Sequence, residues 1–160
     1  MRALDDAPSE ELQKRGYQLE TLIMDLLALE GLNPSPPYRS RGEQIDGLFE
    51  MEGRYFSLET KWEKNPLPAS SVYAFRAKVD GKLIGTIGIF IAINGFSTNA
   101  PIALTYGKEI NVLLFDGNDI NFALKDEHSF KDILKVKLRK AAQYGVVKYS
   151  YAHYLDDEGI

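Results

Sequence analysis

The 160-residue sequence predicts an α/β protein, with a mixed central sheet flanked by helices on both sides in a three-layer α/β/α arrangement. Three observations lead there. Helix-period and strand-period segments follow one another in the order α, β-hairpin, α, β, α, β, β, α. The run Ile84–Ile93 is apolar and rich in β-branched residues, as expected of a strand covered on both faces. No internal repeat, low-complexity tract or linker divides the chain. Residues 1–160 therefore read as one domain, with 1–13 and 145–160 as acidic or tyrosine-rich extensions.

The first expected element is a helix from about Ser9 to Glu30. Ser9 suits the N-cap, Glu10 and Glu11 suit the positive end of the helix dipole, and Gly31 ends it. Its apolar stripe is Leu12, Leu19, Leu22, Ile23, Leu26 and Leu27. Asn33-Pro34-Ser35-Pro36-Pro37 then forms a loop. From about Gln44 to Trp62 the pattern is that of strands with a turn at Glu52-Gly53. A helix over about Ala69–Lys82, the apolar strand, a short helix near Asn99–Gly107 and a strand at Asn111–Phe115 come next. Asp116-Gly117 is expected to turn the chain into a short strand near Ile120–Leu124, before a last helix over about Ser129–Tyr144.

Composition narrows the chemistry. The absence of cysteine excludes disulfides, Cys-ligated zinc, iron–sulfur clusters and thiol nucleophiles, and fits a cytoplasmic setting. Two histidines, His128 and His153, leave little room for a multi-histidine metal site. No segment reaches the length of a membrane span, and the acidic N-terminus is unlike a signal peptide. The formal net charge of −4 argues at first sight against a polyanionic partner. Seven of the acids lie in residues 1–13 and 156–160 with a single base, however, and residues 14–155 between them carry +2. Residues 131–148 alone carry +5, which reads either as a solvated helix face or as a phosphate-facing patch.

The segment that carries chemistry runs from Gly42 to Trp62. If Glu52-Gly53 are the central pair of a two-residue hairpin loop, Asp46 lies directly opposite Glu59. Lys61, two residues on, shares the face of Glu59. The other acid-x-Lys triplet, Asp80-Gly81-Lys82, lies in an apparent turn and has no such partner. Facing carboxylates repel and call for a cation. An all-oxygen donor set suits Mg²⁺, and Lys61 could orient an attacking water or offset charge on a phosphate. The alternative is a cross-strand polar patch with a surface salt bridge. Glu20 adds weight to the first reading, because it falls on the apolar side of the first helix, near Gly16, Ile23 and Leu27.

Gly16-Tyr17-Gln18-Leu19-Glu20, then Ile45-Asp46-Gly47, then Glu59-Thr60-Lys61 together resemble the Mrr-like branch of the PD-(D/E)XK nuclease superfamily. The likeness continues through Gly88–Ser97 with Ala100 and through Asn111–Gly117, and spans roughly Lys14 to Tyr144. It implies a restriction-endonuclease-like fold and metal-dependent hydrolysis of DNA phosphodiesters. It further implies Asp46, Glu59 and the Thr60 backbone carbonyl as metal ligands, Lys61 as catalytic lysine and Glu20 as the helix-borne acid. Mg²⁺ is the implied cofactor, with Mn²⁺ as substitute. The branch often has Gln where Glu59 stands, and no Pro precedes Asp46.

The resemblance also implies a prokaryotic role in restriction or antiphage defence and a homodimer for cutting both strands; an activating partner protein stays open. Alternatives are a structure-specific junction or flap nuclease, a catalytically inactive nucleic-acid-binding module of the same fold, and a purely structural protein. Arg41 (with Arg39 beside it), Asn94 and Ser97 are candidate nucleic-acid contacts, each explained also by loop or turn formation. Trp62 points to the opposite face from Lys61 and reads as core.

Overall fold

A computed structural model describes residues 9–107, 109–125 and 127–159. In chain order its elements are α1 (Ser9–Leu29), β1 (Tyr38–Ser40), β2 (Glu43–Ile45), β3 (Gly47–Met51), β4 (Arg54–Lys61), α2 (Ala69–Asp80), β5 (Ile87–Ala92), α3 (Asn99–Thr105), β6 (Val112–Asp116), α4 (Gly117–Leu124), α5 (Phe130–Tyr144) and α6 (Tyr151–Asp157). The main sheet has the order β3-β4-β5-β6. Its first pair is antiparallel and the other two pairs are parallel, so the sheet is mixed, as expected.

Side-chain alternation divides the core into two layers. Leu19, Ile23 and Leu27 of α1 pack with Phe56, Leu58, Ile89 and Ile91, joined on that face by α4 and α5. Val72, Phe75 and Val79 of α2 pack on the other face with Phe90, Ala92 and Leu114, joined by α3. β5 thus supplies buried residues to both layers, which accounts for its continuous apolar sequence. Its strand begins only at Ile87: Leu83 and Ile84 are 74% and 95% exposed. On α1, Leu12 and Leu22 stand at the flank of the stripe and are exposed rather than buried.

Both two-residue hairpin loops have positive φ at their two central residues, Arg41 (52°) with Gly42 (79°) and Glu52 (53°) with Gly53 (80°), as type I′ turns require. The Glu52-Gly53 turn therefore sets the register expected from the sequence, Met51 opposite Arg54 through Gly47 opposite Leu58. The Arg41 turn closes a small β1–β2 hairpin where the sequence suggested a loop.

One expected element is of the wrong type. Residues Ile120–Leu124 belong to the helix α4, not to a strand. Asp116 does leave the strand, but as an N-cap: its side chain accepts from the Asp119 N–H while Asp119 accepts from the Asp116 N–H, a reciprocal capping box. Ile120 and Ala123, three apart, then share the buried face.

Lys137 is buried with Asp119, at 1% and 3% side-chain exposure. Its ammonium donates to Leu114 O (2.9 Å), Tyr149 O (2.8 Å) and Asp119 Oδ2 (2.9 Å), so all three protons are used. Burial pushes this lysine below its ordinary value, against the opposing pull of Asp119. Asp119 Oδ1 also accepts from the Tyr151 N–H, tying α6 to the body. The tyrosine-rich tail thus packs on the core through Tyr151, Tyr154 and Leu155. Lys137 also occupies the outer edge of β6, where Leu114 N donates to Val147 O. The β3 edge is bridged by Ser35, whose N–H donates to Leu48 O.

α2 approaches β5 closely at Gly88, where a Cβ would lie 2.6 Å from Val79 Cγ2 and 2.7 Å from Phe75 Cε2. Gly88→Ala is expected to force this helix outward and to lower stability by about 1–3 kcal/mol, measured by urea denaturation. Lys137→Ala leaves Asp119 buried without its cation, and about 3–5 kcal/mol is the expected loss in the same measurement.

Candidate active site

β3 stops pairing regularly with β4 just where the candidate residues lie. Asp46 precedes β3, and its N–H donates to Leu58 O at 3.3 Å rather than continuing the ladder toward Glu59. The carboxylate takes over: Asp46 Oδ2 accepts from the Thr60 N–H at 2.8 Å and from Thr60 Oγ1 at 3.5 Å, while Oδ1 accepts from Gln44 Nε2 at 3.4 Å. Asp46 is thereby held buried, 8% exposed.

Alternation along β4 assigns the rest. Phe56 and Leu58 enter the α1 layer, so Glu59 and Lys61 face the α2 side. The N–H and C=O of one extended residue point to the same strand edge. Lys61 O is taken by Ile93 N on the β5 side at 3.2 Å, whereas the Thr60 N–H points to Asp46. The Thr60 carbonyl is therefore directed to the Asp46 edge of β4.

Three acids meet here. Burial, a hydrogen bond shared with Asp46 and the charge of Asp46 push the Glu20 carboxyl up to about 7. Glu59 is also pushed up, chiefly by burial, with Lys78 pulling it back and Asp46 adding to the rise. Lys78 reaches over from α2, its Nζ 3.2 Å from Glu59 Oε2 and 3.1 Å from Gln44 O. Lys61 is exposed and makes no ion pair among the described residues.

Glu20, Asp46, Glu59, Thr60 and Lys61 line one open cleft of about 690 Å³ between the first half of α1 and the loop after β4. Gly16 lines it too, and its missing side chain leaves that face of α1 open. Trp62 borders the cleft while packing against the α1 layer, in keeping with its reading as core.

The other candidates stand elsewhere. Arg41 sits at the tip of the β1–β2 hairpin, with Arg39 exposed in β1. Asn94 donates its side-chain amide to Glu63 O, and Ser97 N donates to Leu67 O, so both residues brace the loop that walls the cleft. Of the basic stretch on α5, Lys137 points inward, and Lys135 pairs with Glu52 at the opposite end of β4 from Lys61. Lys78 and Gln44 escaped the sequence reading. The only trace of Lys78 is its place on α2 between the buried Phe75 and Val79. His128 also has a partner that was not foreseen, Tyr151 Oη at 2.9 Å from Nδ1.

Among the described residues, no three histidine, cysteine or acidic side chains form a ready-made cage for an ion. The oxygen donors present are nonetheless of the kind that could hold a hard cation in an open site. They are two mutually repelling carboxylates, Asp46 and Glu59, and the Thr60 carbonyl on the same strand edge as Asp46.

A mixed sheet flanked by helices thus gathers acids and a lysine at the end of its second strand, in one open cleft. Residues 12–124 match the restriction endonuclease family Mrr_cat, and the chain belongs to that family, a family of nucleases that generally use divalent metals. Two solved structures are similar to this chain. One is the crystal structure of a protein of unknown function, AF1548 (16% identity, TM-score 0.49, covering 76% of this chain and 66% of that one). The other is the MspJI restriction endonuclease in complex with a 27-mer oligonucleotide (15% identity, TM-score 0.45, covering 85% of this chain and 34% of that one). No curated protein matches the sequence.

The raised Glu20 carboxyl makes a signed prediction for the cation-free protein. The native state holds this proton more tightly than the unfolded chain, so stability falls as pH rises from 4.5 through about 7. Allowing for solvent screening, the share of Glu20 is about 1 kcal/mol. In urea titrations with EDTA at pH 5.5 and pH 8, Glu20→Gln is expected to remove that share of the pH dependence and to be the more stable protein at pH 8.

Proposed function

We propose that this chain is a Mg²⁺-dependent endodeoxyribonuclease of the Mrr restriction type, hydrolysing DNA phosphodiester bonds. The observation that carries this reading is the convergence of Asp46, Glu59 and Lys61, with Glu20, in one cleft of a chain that belongs to the restriction endonuclease family. Asp46, Glu59 and the Thr60 carbonyl would hold the cation, which when bound supplies Lewis-acid activation and neutralises charge at the phosphate.

The protein's own groups do the rest. Lys61, exposed at the mouth of the cleft, orients the attacking water and offsets the charge that builds on the phosphate oxygens. Asp46 is fixed by Thr60 and Gln44, so its oxygens need no reorganisation as substrate arrives. Glu20 holds a proton against Asp46 near neutrality and yields it as the cleft takes up positive charge. Mn²⁺ substitutes for Mg²⁺ on the same oxygen ligands. One such site cuts one strand, so cutting both strands of a duplex calls for a homodimer. The setting that suits this activity is restriction or antiphage defence in a prokaryotic cytoplasm, in a chain that acts as a single nuclease domain.

A second reading, an inactive nucleic-acid-binding module, is favoured by one observation: Lys78 already neutralises Glu59. One assay separates the two. Supercoiled plasmid, linear duplex, single-stranded and branched DNA are incubated with Mg²⁺, Mn²⁺ or EDTA. Metal-dependent cutting is expected, reduced at least about 100-fold in Lys61→Ala and in Asp46→Ala while cooperative unfolding persists. Salt-sensitive binding without cutting under every metal condition would establish the inactive module instead, and cutting confined to the branched substrate a structure-specific nuclease.

A further inference from the structure

Lys78 is placed by a rigid element. The residues on either side of it in the buried stripe, Phe75 and Val79, pack where α2 comes closest to the sheet, over Gly88 of β5. Its ammonium arrives at Glu59 Oε2 with side-chain exposures of 22% for the lysine and 13% for the glutamate, well shielded from solvent. Glu59 has fewer hydrogen-bond partners than Asp46. Asp46 has the Thr60 N–H and the Gln44 amide, whereas Glu59 faces the Asp46 charge and is steadied by Lys78. The same ammonium has a second acceptor, Gln44 O at 3.1 Å, that does not depend on Glu59. Lys78 can therefore give up the carboxylate without being left unpaired.

We propose that Lys78 is the resident counter-ion of the site, which a divalent cation must displace from Glu59, and that it thereby sets the cation concentration at which the cleft fills. The proposal rests on the metal-dependent reading of the cleft given above. Lys78 is a positioning residue in this scheme: it acts through Glu59 and touches no substrate. A fixed monovalent charge keeps the two carboxylates compatible in the empty cleft, and the same charge makes the cleft a weaker ligand than its oxygen donors alone would be.

The test is direct Mn²⁺ binding to the full chain at pH 8 without DNA, followed by the electron paramagnetic resonance signal of free Mn²⁺ and by calorimetry. Lys78→Met is expected to bind Mn²⁺ about tenfold more tightly than the unaltered protein. Lys78→Gln, which can still donate to Gln44 O, is expected to tighten binding similarly and serves if the methionine variant does not fold. Lys78→Arg keeps the charge and is expected to leave affinity unchanged. Lys82→Met removes an equal charge from the Glu43 pair four residues on, and a change of less than about twofold is expected there. A merely structural role would lower the unfolding midpoint of the Lys78 variants without tightening binding. If the unaltered protein binds Mn²⁺ and the folded methionine or glutamine variant binds no more tightly, the role given to Lys78 is overturned and the metal reading stands. If neither the unaltered protein nor those variants bind, both fall.

Discussion

One hydrogen bond organises the functional end of this molecule: the Thr60 N–H to Asp46 Oδ2, at 2.8 Å. An antiparallel partner would ordinarily satisfy that amide with its backbone. Here β3 has stopped pairing, and a carboxylate stands in for the missing carbonyl. The substitution keeps a buried amide satisfied, which a core sheet requires. It also draws a negative charge into the end of the sheet and turns the Thr60 carbonyl toward it. The chain then has to manage a charge that it has buried, and the neighbouring groups are disposed accordingly. Gln44 donates to the other oxygen, Glu20 keeps a proton near neutrality, and Lys78 steadies the facing Glu59.

The rest of the fold holds that end still. The loop after β4 is tied to the β5–α3 turn through Leu67 N to Gly95 O and Ser97 N to Leu67 O, with the Asn94 amide on Glu63 O. On the far edge of the sheet, the buried Lys137–Asp119 pair links α5, β6, α4 and α6. A buried pair is weak evidence for net stability, but it specifies one arrangement, because each ammonium proton has its own acceptor and both carboxylate oxygens are engaged. Both sheet edges carry crossing contacts, Ser35 on β3 and Val147 with Lys137 on β6. Association of two copies by extending the sheet would have to break one of these, so other surfaces are the more accessible route.

Much of this was legible in the sequence where local rules and tertiary packing agree. The Glu52-Gly53 turn and the alternation on either side of it were sufficient for the hairpin register as far as Gly47 opposite Leu58, and hence for bringing Asp46 near Glu59, although the ladder ends before the two pair directly. The period of α1 placed Glu20 toward the same end. Legibility failed where one residue type serves two structures. Asp116-Gly117-Asn118-Asp119 has the composition of a turn and also of a helix N-terminus. Only the reciprocal Asp116–Asp119 hydrogen bonds and the burial of Ile120 and Ala123 decide between them. It failed again where a partner is remote in sequence. Lys137 lies in a run of bases and resembles its exposed neighbours until Asp119, 18 residues earlier, is brought beneath it. Lys78 meets Glu59 across 19 residues through the packing of α2 on Gly88, which no local pattern encodes.

The charge of the whole chain, −4, is a poor guide to what the cleft presents. Taking the ionised forms, Asp46 and Glu59 are offset by Lys61 and Lys78, and Glu20 is poised between neutral and negative near pH 7. The empty cleft is then close to neutral, and it becomes slightly negative as Glu20 ionises. Neither state attracts a polyanion strongly, and two of the bases of α5 do not compensate, since Lys137 is buried and Lys135 is paired at the other end of β4. A divalent cation held by Asp46 and Glu59 would reverse the sign at the one place where a phosphate has to sit. On the nuclease reading, cation and nucleic acid therefore favour each other's binding, and by linkage the coupling is equal in both directions. On that reading, discrimination between a phosphate chain and other anions arises less from surface bases than from a nearly neutral cleft that becomes attractive only when filled.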